Sequence, residues 1–128
     1  MDYFELEAAV EQWAADKGIL EKATPMAQSL KTMEECTELC TAINADDREE
    51  VIDAMGDSMV TLIIQAKMQG LKLEECLESA YNVIAIRTGK MVNGQFVKDI
   101  ELKDIDIISG TEMAYVRKMN HTKKDLEN

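Results

Sequence analysis

The sequence predicts an all-α protein: a four-helix-type bundle followed by a short β-hairpin-like segment and a C-terminal extension. Three observations carry that expectation. Apolar residues recur with the 3.6-residue helical period through most of the first 87 positions. One proline and six glycines punctuate 128 residues, which leaves long uninterrupted segments. The connections between those segments are short, so neighbouring helices are expected to run antiparallel.

Residues from about 3 to 17 form the first predicted helix, with Phe4, Ala8, Val10, Trp13 and Ala14 as its apolar contribution and Gly18 as its end. Thr24-Pro25 then reads as a helix start, threonine as cap and proline in the first helical position. The second helix runs to about Asn44, its inward stripe being Met26, Leu30, Met33 and Cys40, flanked by Leu39 and Ile43. Asp46 or Asp47 caps a third helix that reaches about Gln69, where Gly70 closes it. A fourth helix covers about 72 to 87, with Leu73, Cys76, Leu77, Ala80, Val83 and Ile84 inward. Past Gly89 the texture changes: Met91-Val92 and Phe96-Val97 flank an Asn93-Gly94 turn, a hairpin signal. The extension beyond holds an apolar patch at 100–108, a possible short helix at about 112–119, and a frayed end.

Composition narrows the function classes. Hydrophobic residues make up 46% of the chain, as in ordinary globular proteins. No apolar run approaches the ~18–20 residues of a membrane span, and Met1-Asp2-Tyr3-Phe4-Glu5 lacks a signal-peptide layout. Three cysteines, Cys36, Cys40 and Cys76, suit reduced thiols, and Cys36 and Cys40 read as small core hydrophobes. The expectation is a cytoplasmic protein with no membrane partner. A net charge of −11 argues against gripping nucleic-acid backbone through a basic face. It leaves open a site that handles polyanions through bound metal.

The charge is concentrated. Between Glu34 and Asp57 nine acids face one base, Arg48, a net of −8 in 24 residues. Glu34 and Glu38 share one face of the second helix, and Glu35 borders it, ~100° round. Glu50, Asp53 and Asp57 share one face of the third. These acids are threaded between Met33, Leu39, Ile43, Val51, Ile52, Met55 and Met59, where they lose hydration and repel one another. A hard divalent cation with oxygen ligands, Mg²⁺ or else Mn²⁺, is the compensation expected, with Glu34, Glu35, Glu38, Glu50, Asp53 and Asp57 as candidate ligands. The bland alternative is a solvated acidic face. Asp46, Asp47 and Glu49 are read as capping and dipole groups instead. A ferritin-like di-iron site would need Glu-x-x-His pairs, and the only histidine, His121, lies in the tail. Zinc would need more soft ligands than Cys36 and Cys40 supply.

At these residues the sequence resembles the MazG-like, all-α nucleoside triphosphate pyrophosphohydrolases. Glu34-Glu35-Cys36-Thr37-Glu38 matches that family's Glu-Glu-x-x-Glu, and Gly56-Asp57 looks like its second-helix aspartate. The position three before Asp57 is Ala54 where the family commonly has glutamate; Asp53, or a shift to Glu50-Val51-Ile52-Asp53, are the alternatives. Ala80-Tyr81-Asn82 and the segment from Arg87 to Gly94 look like the phage-borne and small bacterial members. The resemblance spans about 30 to 98; with it go an expected domain at 1–98 and an extension of unknown role at 99–128.

The resemblance implies Mg²⁺-dependent hydrolysis of (deoxy)nucleoside triphosphates to monophosphate and pyrophosphate, controlling a nucleotide pool. Glu35 and Glu38 are then the candidate catalytic residues, Glu35 as acceptor of the water's proton. Asn82 is a candidate contact to base or sugar; Arg87 and Lys90 are candidates for the phosphates. Trp13 or Phe4 as a base-stacking residue competes with a plain role in the core. The resemblance also implies a homodimer or homotetramer. Two other readings stand beside it: an acidic helical binding protein, and a family member that keeps the fold without turnover.

Overall fold

In a computed structural model of the protein, residues 1–99 are described. They form α1 (Tyr3–Asp16), α2 (Ile19–Lys22), α3 (Pro25–Asn44), α4 (Arg48–Met68), α5 (Leu73–Ile84), β1 (Gly89–Val92) and β2 (Gln95–Lys98). The fold is all-α with one short antiparallel hairpin. It divides into two compact units, Met1–Ala80 and a second beginning at Tyr81. The expected apolar patch and short helix of the extension lie outside the described residues. No helix among the described residues is long and apolar enough to cross a membrane.

Local chemistry sets the ends of the elements. The Thr24 hydroxyl accepts the Ala27 N–H at 3.1 Å with Pro25 behind it, as the sequence suggests. The Asp47 carboxylate accepts the Glu50 N–H at 3.3 Å, so Asp47 is the cap of α4, while Asp46 takes a positive φ of 54° in the turn. Asp2 caps α1 in the same way, accepting the Glu5 N–H at 2.9 Å. After α1 the chain turns through Gly18 at φ 78°, a region that costs glycine little, and enters α2. This single turn is too short to print a period on the sequence. In the second unit Asn93 and Gly94 both take positive φ, 50° and 80°, which matches the twist of β1 and β2. Thr24→Ala is expected to cost about 1 kcal/mol of stability, read as a lower urea midpoint at unchanged slope; an unmoved midpoint would show the cap to be idle.

The first unit is built on an antiparallel pair. Gln28 Nε2 donates to the Thr61 carbonyl at 3.2 Å, and Gln65 Nε2 donates to the Pro25 carbonyl at 2.8 Å. These two bonds register α3 against α4. The shielded row of α3 is Gln28, Thr32, Glu35, Leu39 and Ala42, and that of α4 is Val51, Ala54, Ser58, Thr61 and Gln65. Both rows step alternately by three and four residues, the seam of a helix pair. Carried along, the register puts Glu35 opposite Ala54. α1 also packs on α4, with Ala14 fully buried and Glu11 paired to Lys67 at 3.2 Å. Ile63, Ile64 and Ala66 complete the core.

Several residues expected inside are outside. Met26, Leu30 and Met33 are exposed, so the apolar stripe read from α3 is not its buried row. The buried row is more polar, because Gln28 and Thr61 pair across the seam and small Ala42 and Ala54 let the helices approach. Cys36, Cys40 and Cys76 are exposed free thiols, not core residues. In α5, Cys76, Leu77, Ala80, Val83 and Ile84 are exposed, Leu77 to 70%, and of the residues expected inward only Leu73 is half-buried. Strong amphipathicity marks a face that can be covered; it does not name the cover.

Candidate functional site

Glu35 sits in the α3–α4 seam, where register rather than local sequence decides its surroundings. It is half-buried, and its Oε2 is closed to solvent and meets no donor among the described residues while Glu35 and Glu38 are both ionised. A carboxylate oxygen in that position lacks the compensation that buried polar atoms ordinarily have. The Glu35 carboxyl is raised above the usual range chiefly by a hydrogen bond with Glu38; lost hydration comes next, then the charges of Glu38, Asp57 and Glu34. Four candidates are therefore brought together: Glu34, Glu35 and Glu38 from α3, and Asp57 from α4. In the absence of a cation, a proton shared between Glu35 and Glu38 is the cheapest relief of their repulsion.

The other candidates are placed differently. Glu50 and Asp53 lie on the same row of α4 as Asp57 but nearer its start, both exposed. Neither is among the charges that raise the Glu35 carboxyl. Ala54, 3% exposed and opposite Glu35, offers a methyl group where the second-helix acid of the resembled pattern would stand. An acid there would add a buried charge beside one that already lacks a partner. Asn82 and Lys90 are exposed, Arg87 is half-buried, and all three belong to the second unit. Lys31, absent from the sequence-based candidates, places Nζ 3.2 Å from Glu34 Oε2. Its i, i+3 spacing to Glu34 was the available signal, and such pairs are common on any charged helix.

The donor set suits a hard cation. All four gathered groups are carboxylates, the ligands Mg²⁺ and Mn²⁺ take, and one oxygen is buried without a partner. As they stand, no group of three or more among the described residues is arranged to hold a metal ion. The residues fit by chemistry, and their side chains must converge to ligate.

The raised Glu35 pKa has a stability consequence. The folded state keeps a proton that the unfolded chain releases near 4.5, so this group's contribution falls as pH rises from there through the raised value. In a chelator, Glu35→Gln is therefore expected to melt higher than wild type above that window and to converge with it at lower pH. Calorimetry across a pH series checks this, and a constant difference at every pH would refute it.

The fold is all-α, with acids carried on both members of an antiparallel helix pair. Residues 7–82 match the phosphoribosyl-ATP pyrophosphohydrolase family, so the chain belongs to that family, within the MazG-like all-α superfamily. It is also 38% identical over 66 residues to an uncharacterized 18.2 kDa protein of the rep-hol intergenic region of Haemophilus phage HP1. That match covers 52% of this chain and 40% of the phage protein, so the chain spans about two fifths of its relative's length. No solved structure matches the chain.

Proposed function

We propose that the chain is a Mg²⁺-dependent pyrophosphohydrolase that converts (deoxy)nucleoside triphosphates to monophosphate and pyrophosphate. The observation that carries this reading is the gathering of Glu34, Glu35, Glu38 and Asp57, with Glu35 Oε2 buried and unpartnered. Membership in a pyrophosphohydrolase family supports it. Glu34, Glu38 and Asp57 would hold Mg²⁺ or Mn²⁺, joined by Glu50 or Asp53 along the same row. Bound there, the metal would neutralise the triphosphate and acidify a water. Glu35 takes the proton of the attacking water. The water oxygen bonds to the α-phosphorus as the bond from that phosphorus to the α–β bridging oxygen breaks. The electron pair leaves with pyrophosphate.

Arg87 and Lys90 are proposed to grip phosphates, and Asn82 to contact base or sugar. We further place the protein in the cytoplasm as a homodimer or homotetramer that trims a nucleotide pool. Support for assembly is the apolar surface around the acids: Met33, Ile43, Ile52, Met55 and Met59 are all exposed, as is much of α5. Exposed apolar side chains threaded between acids on α3 and α4 are the support for an interaction face there.

The test is a panel of all common NTPs and dNTPs, with and without Mg²⁺, scoring monophosphate and pyrophosphate separately. The expected result is both products, lost on chelation. Diphosphate plus phosphate would refute the cleavage site. Absence of turnover with Mg²⁺ still bound would make the chain a non-hydrolysing member, as Ala54 would then explain.

A further inference from the structure

A groove of about 370 Å³ opens on the first unit, adjoining the carboxylates without including them. Trp13 of α1, Ile19 of α2, Ala27 and Lys31 of α3, and Val60 and Ile64 of α4 line it, above buried Gln28 and Thr61. Lys31 is the joint between groove and acids, since it lines the one and touches Glu34 of the other. The donors beneath each have a bond within the protein. Gln28 Nε2 is bonded to the Thr61 carbonyl, and the Thr61 hydroxyl donates to the Ser58 carbonyl at 2.7 Å. What remains is a mostly apolar slot with one aromatic wall, Trp13, 48% exposed, and one cation, Lys31, paired to an acid outside it.

We propose that this groove seats the base and sugar of the substrate, the base stacked on Trp13 and the triphosphate running past Lys31 towards Glu34, Glu35, Glu38 and Asp57. The proposal deepens the pyrophosphohydrolase reading and rests on it. Two properties follow. Stacking is available to every base, and the donors beneath are engaged, so the site tolerates several bases instead of reading one. The volume is near the lower limit for small-molecule pockets, and Lys31 is the sole cation of the lining. A base carrying a second phosphoribosyl group would bring a further phosphate into an apolar slot with no cation left to meet it. The substrate is therefore a plain nucleoside triphosphate in preference to phosphoribosyl-ATP, although the family takes its name from the latter.

Trp13 is the chain's single tryptophan, so its fluorescence reports on this groove. The experiment titrates the full chain, in chelator, with the four common deoxynucleoside monophosphates. It then compares KM and kcat for dNTPs, ATP and phosphoribosyl-ATP in wild type, Trp13→Ala and Ala27→Leu. Quenching by all four monophosphates with affinities within about tenfold supports the site, as does its loss in Ala27→Leu, which fills the slot from an exposed helix position. Trp13→Ala is expected to raise KM for dNTPs roughly 10- to 100-fold, the scale of one base–aromatic stack, with kcat changed far less. ATP should exceed phosphoribosyl-ATP in kcat/KM by at least about tenfold. Turnover of dNTPs without quenching, or with KM unmoved in both folded variants, would overturn the base site and leave the reaction standing. Preference for phosphoribosyl-ATP would overturn the substrate class. Quenching without any turnover would uphold the groove as a nucleotide site and sink the hydrolase reading.

Discussion

Glu38→Gln is expected to lower pyrophosphate release from the best nucleoside triphosphate by about 10²-fold or more, the scale of losing a metal ligand or an acid–base group. The substitution keeps the side chain's shape and removes its charge, so packing cannot carry the effect. It acts twice. A proposed Mg²⁺ ligand disappears, which weakens metal binding. The Glu38 charge beside Glu35, the proposed acceptor of the water's proton, is also lost, so Glu35 becomes a weaker base. Kinetics over a Mg²⁺ titration separate the two, because excess Mg²⁺ restores only the first loss. Activity within about threefold of wild type at every Mg²⁺ concentration would remove Glu38 from the machinery. The metal-free variant should melt no lower than wild type, since a repulsive neighbour has gone.

Ile63→Ala is expected to destabilise the protein by about 3 kcal/mol, within the range for deleting a buried isoleucine side chain. Ile63 is 6% exposed on α4, outside the groove and on a different row from the acids. The cavity left there removes transfer energy and contacts together. For a chain of this size Tm should fall by roughly 10–15 °C. Denaturation must be compared at one protomer concentration, because assembly would add its own stability. A drop of only a few degrees would mean that the site collapses around the smaller side chain.

The helices and their ends were legible because those signals are local. Thr24-Pro25 and Asn93-Gly94 act through their own backbone neighbours, and each is found doing what its chemistry predicts. Between Asp46 and Asp47 the choice was open, and it fell to the residue whose carboxylate reaches the Glu50 N–H. The run from Glu34 to Asp57 was legible as charge. Its members that act on Glu35 were not separable from Glu50 and Asp53, since all three α4 acids share one row and only the packed pair singles out Asp57.

Amphipathic period, caps, turn residues and the crowding of acids are properties of a single helix or turn, and the sequence by itself determined them. Which face meets a neighbour is a property of two helices, and only the tertiary structure decided it. The stripe of Met26, Leu30 and Met33 looked like the inside of α3, yet the seam runs through Gln28, Glu35 and Ala42. Register across that seam set Glu35 against Ala54. Packing of α1 and α2 beside it brought Trp13, far away in sequence, to the same groove as Lys31. An apolar face lowers the free energy only against whatever covers it, so its partner is not written in its own period.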